Sequence, residues 1–206
     1  MILDWTRDER LSLADLFDSL TDHEWQAPSL CDGWTVLHVA AHMTMSTRTT
    51  GFVMFTGMLK AMGDFDRMVD NFARDRVARF SRQELIAQLR ETAGSARRTP
   101  GAAPLDPLVD AIVHGQDVAR PLGVARPMPV EQTTAALEHV RTSRFYGARK
   151  RFTGVRLVAT DCDWSAGDGP RELRGPVGDL LLVATGRPAG LATLTGSGVG
   201  LVTAAL

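Results

Sequence analysis

The sequence predicts a mainly α protein, an up-and-down helical bundle over residues 1–150 followed by a small α/β domain over residues 151–206. Three observations carry this reading. Apolar side chains recur at three- and four-residue spacing through most of the first 145 residues, the period of a helix with one buried face. Helix-start chemistry stands in front of several of those runs. After about residue 150 the pattern changes to a β-branched-rich run, VRLVAT, and 10 of the 19 glycines fall in the last 53 residues.

The elements follow in order. Leu11, Leu13, Leu16, Phe17 and Leu20 mark a first amphipathic helix over 8–20. Pro28, Asp32 and Gly33 supply turn residues for a connection over 21–33. Thr35 is an N-cap candidate, because its hydroxyl can accept from backbone N–H groups that lack a partner at a helix start. Val36, Val39, Ala40 and Met43 then share a face, and the helix is expected to run past Arg48 into the 50s. Phe65, Met68, Val69, Phe72 and Val77 mark a helix over about 64–79. Ser81 and Glu84 form a capping-box pattern ahead of Leu85 and Leu89. After a break at 94–104, Pro107 suits the first turn of a helix carrying Leu108, Ile112 and Val113. Another helix is expected from Pro129 to Phe145. Beyond the boundary, 155–160 and ELRG read as strands, and 176–184 reads as a helix that Gly186 can cap.

Composition narrows the function. Lys and Arg number 23 and Asp and Glu 24, a formal net charge of −1, so no global positive field points to nucleic acid. Two cysteines, Cys31 and Cys162, are too few for a disulfide scaffold or a four-thiolate metal cage. The opening segment carries three acidic residues before position 15 and no apolar core, unlike a secretory signal. The most apolar stretch, LLLVATGRPAGLATL, contains Arg187 and Pro188 and is too short to span a bilayer. The expectation is a cytoplasmic protein, monomer or small homo-oligomer, with no nucleic-acid or membrane partner.

Three side chains stand out for chemistry: His42, Asp110 and His114. Asp110 and His114 are four apart, which on a helix puts them on one face. A carboxylate and an imidazole so placed can bind one ion, with His42 approaching from a facing helix. Histidines with a carboxylate suit zinc, nickel or ferrous iron, and three protein ligands leave a coordination position open. The competing reading is a surface Asp110–His114 pair with His42 packed in the core. His38, four before His42, is an alternative ligand or a capping residue. Asp117 reaches the side of its helix that carries His114; it either orients that imidazole or pairs with Arg120. Trp25 and Trp34 bracket the APSLCDG loop, where they either wall a pocket or pack the loop on the bundle. GSGVG lacks the following Lys-Ser/Thr of a phosphate loop.

The stretch LTDHEWQAPSLCDGWTVLHVAAHM, followed by DAIVHGQDVARPLG, resembles the mycothiol-dependent maleylpyruvate isomerase-like family, within the wider DinB-like group of metal-binding four-helix bundles. The tail WSAGDGPRELRGPVGDLLLVATGRPAGLATLTG is similar to that family's small C-terminal domain, so the resemblance covers nearly the whole chain. It implies a DinB-like four-helix bundle with a small C-terminal α/β domain. It also implies a divalent-metal site at His42, Asp110 and His114, with Asp110 one methylene shorter than the family's Glu. The implied chemistry is transfer or isomerisation, in which a metal-activated thiolate of mycothiol adds to a small electrophile. Zinc is the expected ion, with nickel or iron the alternatives, and no catalytic residue is implied beyond the metal site. A non-catalytic metal- or ligand-binding regulatory bundle and a metal-dependent hydrolase are the rival readings. A sugar-bearing thiol needs polar anchors, and the basic segment 141–156 offers Arg144, Arg149 and Arg151, with Arg187 in TGRP a further candidate.

Overall fold

The computed structural model describes all 206 residues. The chain forms two compact units, Met1–Arg126 and Pro127–Leu206. No helix is long and apolar enough to cross a membrane.

The first unit is all helical: α1 (Ile2–Ser19), α2 (Asp22–Gln26), α3 (Val36–Met43), α4 (Gly51–Lys60), α5 (Phe65–Arg79), α6 (Arg82–Glu91) and α7 (Asp106–Ala119). Helix α1 packs on α6 and α7, and α3 packs on α5, α6 and α7. Their apolar faces meet in one core that includes Leu13, Phe17, Trp25, Val39, Met43, Leu89, Ala111 and Val118. Each large apolar side chain removed from water there contributes roughly 1.5–3 kcal/mol before chain entropy is counted. The starts of α6 and α7 follow the expected chemistry, whereas the Thr35 hydroxyl ahead of α3 meets the His38 side chain and not a backbone N–H. Ser81 and Glu84 cap α6 reciprocally, and Pro107 sits in the first turn of α7. Thr21 and Glu24 form a further capping box on α2.

Helix α3 departs from expectation by ending at Met43 instead of continuing into the 50s. The cause is the run of threonines. The Thr44 hydroxyl turns back to the Ala41 carbonyl at 2.7 Å, the Thr49 hydroxyl to the Met45 carbonyl, and the Thr50 hydroxyl caps α4 by accepting from Val53 N–H. Side chains that bond their own backbone compete with helix propagation. The consequence is functional, because His42 lies in the last turn of α3 instead of in mid-helix.

Helix α7 is the central element. Every residue from Pro107 to Ala119 is buried except Asp110. Gly115 allows Arg126 to lie across it: a Cβ there would come within 2.5 Å of Arg126 Nε. Arg126 reaches Glu9 at 2.9 Å, a pair whose side chains are almost fully covered. Burial pushes the Glu9 carboxyl up, and the Arg126 charge and hydrogen bond oppose that shift.

The second unit contains α8 (Val130–Thr142), α9 (Ala148–Arg151), β1 (Val155–Ala159), β2 (Ser165–Ala166), β3 (Arg171–Gly175), α10 (Val177–Ala184), a 3₁₀ segment (Pro188–Thr193) and α11 (Val199–Thr203). The sheet order is β2-β1-β3, with β2 antiparallel and β3 parallel to β1. Val155, Leu157 and Ala159 point inward while Arg156 points out, the period-2 pattern of a half-buried strand. Gly169 is required by close approach, since a Cβ there would meet the Gly154 backbone at 2.1 Å. Helix α10 packs on α8 and on the sheet. The division at 126/127 therefore differs from the expected 150/151. Helix α8 has an apolar face like those of the bundle helices, but that face covers α10.

Candidate metal centre

Helices α3 and α7 bring together the three side chains singled out in the sequence. His42 Nε2 lies 3.3 Å from Asp110 Oδ1, and His114 Nε2 lies 3.4 Å from the same oxygen. The two imidazoles meet edge to face, with centroids 4.7 Å apart. His42 and Asp110 keep 17% and 28% of their side-chain surface exposed, so the triangle of donors is reachable from solvent.

These separations bear on whether the residues fit a metal ion. A four-coordinate ion with bonds of about 2.0–2.1 Å spaces its ligand atoms about 3.3–3.4 Å apart. A charge-assisted N–H···O⁻ bond is shorter, about 2.7–2.9 Å. The two N···O distances at Asp110 match the coordination edge, and two His nitrogens with one carboxylate are a borderline donor set suited to zinc, nickel or ferrous iron. The residues fit.

A second set, Cys31, His114 and Asp117, also gathers its donor atoms within 4.8 Å of one another. Its distances are those of hydrogen bonds. His114 Nδ1 meets Asp117 Oδ2 at 2.8 Å, and the Cys31 thiol donates to that same oxygen at 3.2 Å. Asp117 is fully buried. The two sets thus have different jobs: one presents Nε2 of His114 to the open triangle, and the other holds Nδ1 from behind. A buried carboxylate on the far nitrogen fixes the tautomer and aims the ring. Asp117 thus contacts the His114 imidazole on the side away from the triangle.

Electrostatics agree with the geometry. Burial would push the Asp110 carboxyl up, but the His42 charge and hydrogen bonds from both imidazoles hold it well below the ordinary carboxylate range. Burial would push the His114 imidazole down. Bonds to Asp110, Asp117 and Cys31, with the Asp110 charge, carry it well above the ordinary histidine value instead. His42 has no equivalent support, since its buried Nδ1 has no hydrogen-bond partner.

The loop ahead of α3 builds the remaining wall. A bridge between Pro28 and Thr35, the Ser29 N–H to the Trp34 carbonyl at 2.9 Å, and the Leu30 N–H to the Asp117 carbonyl at 3.0 Å fix its course. This sets Trp34 against both imidazoles, with centroids 5.3 Å from His42 and 6.5 Å from His114. The Trp34 indole N–H donates to Asp70 at 2.8 Å, and Asp70 is held in turn by Arg74. Trp25 faces the other way and stacks on Phe17 in the core. His38 is not part of the triangle: its Nδ1 bonds Thr35 at the helix start, the capping alternative.

Two participants were not assigned from sequence. One is Cys31, whose thiol touches Asp117 and lies 3.7 Å from His114 Nδ1. The available signal was its place in the loop that leads into the His42 helix. Arg10 is buried and donates to the carbonyls of Thr92, Ala93 and Ser95 and to the Ser46 hydroxyl. Burial pushes its guanidinium pKa down, and the Asp110 charge opposes that shift. A lone arginine in an amphipathic pattern gave no sign of this role. Arg144, Arg149, Arg151 and Arg187 all lie in the second unit. Arg149 borders a cavity of about 270 Å³, together with Arg141, Phe152 and Leu157. Arg151 donates to the carbonyls of Tyr146 and Ala184, and Arg187 donates to that of Thr185.

The fold and the cluster define a class: a helical bundle that gathers two histidines and an aspartate, a donor set that could hold a metal ion, on facing helices near solvent. The model of the mycothiol maleylpyruvate isomerase N-terminal domain matches residues 6–134, and the chain belongs to that family. Among solved structures it is similar to the crystal structure of the mycothiol-dependent maleylpyruvate isomerase (16% identity, TM-score 0.51) and to that of a histidine-to-alanine mutant of that enzyme (15% identity, TM-score 0.50). Each match covers 96% of this chain and 95% of the other. At these identities the likeness is one of fold, a helical bundle with a small α/β appendage. A search of the curated proteins finds no match.

Proposed function

We propose that the protein is a divalent-metal-dependent, mycothiol-dependent transferase or isomerase of the maleylpyruvate isomerase type, in which a low-molecular-weight thiolate adds to a small electrophile. The observation that carries this reading is the triangle of His42, Asp110 and His114, spaced for one ion and open to solvent at Asp110. Membership of the family supports mycothiol as the thiol and this reaction class. Zinc is the ion favoured for two histidines and a carboxylate.

His42 Nε2, Asp110 Oδ1 and His114 Nε2 would hold the ion. When bound, such an ion is a Lewis acid that lowers the pKa of a thiol and makes thiolate available at neutral pH. Asp117 accepts the proton of His114 Nδ1 and so keeps the Nε2 lone pair aimed at the site. Trp34 covers one side of both imidazoles and excludes water there. Thiolate addition to an activated double bond turns that bond into a single one, which can rotate before the thiol leaves. The chain then has only to hold the thiol and the electrophile together.

The test is turnover of an electrophile panel, maleylpyruvate included, by metal-loaded protein with mycothiol. The expected result is thiol-dependent turnover that is lost in His42→Ala and His114→Ala. Turnover that persists without any thiol would point to a hydrolase that uses metal-bound water. Full metal loading with no turnover across the panel would point to a binding protein.

A further inference from the structure

A polar cavity of about 620 Å³ opens in the first unit, lined by Thr47, Arg48, Glu91, Thr92, Ser95 and Arg97. Its lining carries two guanidinium groups and one carboxylate, a net charge of +1. Arg48 Nη2 lies 3.0 Å from Glu91 Oε2, a single-contact pair in which the Glu91 side chain is 73% exposed. Such a pair contributes little to stability. Arg48 Nε and the Thr47 hydroxyl are both buried and have no hydrogen-bond partner. A guanidinium binds a carboxylate best through two parallel N–H groups, and the Nε–Nη2 edge of Arg48 is used at only one of them. Glu91 thus occupies half of a fork that a second carboxylate can take whole. Arg10 stiffens the wall by gripping the carbonyls of Thr92 and Ser95.

We propose that this cavity binds the carboxylate group of a small organic acid, with Arg48 as the bidentate partner, Arg97 as the second cation and Glu91 as the group displaced. The +1 lining matches a monoanion better than a phosphate dianion. The proposal concerns binding alone and stands independently of the metal centre and its chemistry.

The test is a backbone-amide NMR titration of the whole protein with benzoate, using benzamide and inorganic phosphate as comparison probes. Saturable shifts are expected at the amides of Thr47, Arg48 and 91–97 with benzoate, and none with benzamide. Arg48→Gln and Arg97→Gln should each weaken benzoate binding about tenfold or more, the scale of one charge-assisted contact. Glu91→Gln, an exposed change with little risk to folding, should tighten binding, because it removes the competitor and one negative charge. Four results overturn the proposal. They are no saturable shifts at millimolar benzoate, equal binding of benzamide, tighter binding of phosphate, and weaker binding in Glu91→Gln. Shifts centred on His42 and His114 instead of Thr47 and Arg97 overturn it as well.

Discussion

Replacing Asp117 by Asn tests how the metal centre is aimed. The substitution changes almost no volume, which matters because Asp117 is fully buried and its backbone carbonyl accepts from Leu30. It removes the charge that accepts from His114 Nδ1 at 2.8 Å and from the Cys31 thiol at 3.2 Å. An Asn that turns its NH₂ toward Nδ1 drives the proton to Nε2, the nitrogen that must face the ion with a lone pair. An Asn that turns its carbonyl toward Nδ1 keeps the tautomer but loses the charge. Either way the partner behind the ligand is weaker. Loss of such a partner typically costs about 10–100-fold in metal affinity, or about 1.4–2.8 kcal/mol. The assay is competition for zinc against a chromophoric chelator, with thermal melting to confirm that the variant is folded. If Asp117→Asn binds zinc as tightly as the parent while His114→Ala does not, the far-side bond has no part in holding the metal and the reasoning fails.

Other predictions follow from neighbouring features. Asp110→Glu is expected to weaken zinc binding, by about tenfold, because Asp110 Oδ1 already sits at the coordination-edge distance from both imidazoles and an added methylene pushes the oxygen past that position; chelator competition reads this directly, and tighter binding would show that the site is too wide for Asp. The bonds from Arg74 and Trp34, with the Arg74 charge, hold the Asp70 carboxyl below its ordinary value of 3.8 against a modest desolvation that raises it. A depressed carboxyl stabilises the fold above its unfolded value and loses that contribution as pH falls, so the stability gap between parent and Asp70→Asn should close below about pH 4. The gap is expected to be no more than about 1 kcal/mol after solvent screening, as followed by urea melts with tryptophan fluorescence. Phe17→Ala removes a ring that is 1% exposed and stacked on Trp25, and should cost about 3–5 kcal/mol in chemical denaturation; a loss under about 1 kcal/mol would mean that this end of the core repacks.

Most of the first unit was legible in the sequence because its helices are amphipathic and their caps are chemical. Ser81 with Glu84 and Pro107 marked helix starts within a residue or so. Asp110 and His114 could be paired because both lie on one helix, where a four-residue spacing has a single geometric meaning. His42 could be offered as a third ligand from the residues alone, but only the family resemblance favoured it over a core histidine, since periodicity does not say which helices face one another. The early end of α3 was missed because threonine propensity only weakly disfavours helix, whereas the back-bonding of Thr44 and Thr49 decides it. Cys31 and Trp34 were harder for another reason. They lie on a loop, and a loop's course depends on long-range bonds such as Leu30 N–H to Asp117 that leave no periodic trace. The placement of α8 with the second unit was likewise hidden, because an apolar face shows that a helix is covered but not by what.

His42, Asp110 and His114 are proposed to hold one divalent ion, with Cys31 and Asp117 behind them. Elemental analysis of protein purified without added metal, repeated on Asp110→Ala and Cys31→Ser, tests this most directly. About one divalent ion per chain is expected in the parent, with loss of that ion in Asp110→Ala and retention in Cys31→Ser. A parent that carries no stoichiometric metal would contradict the proposal, as would an ion that survives Asp110→Ala but disappears with Cys31→Ser.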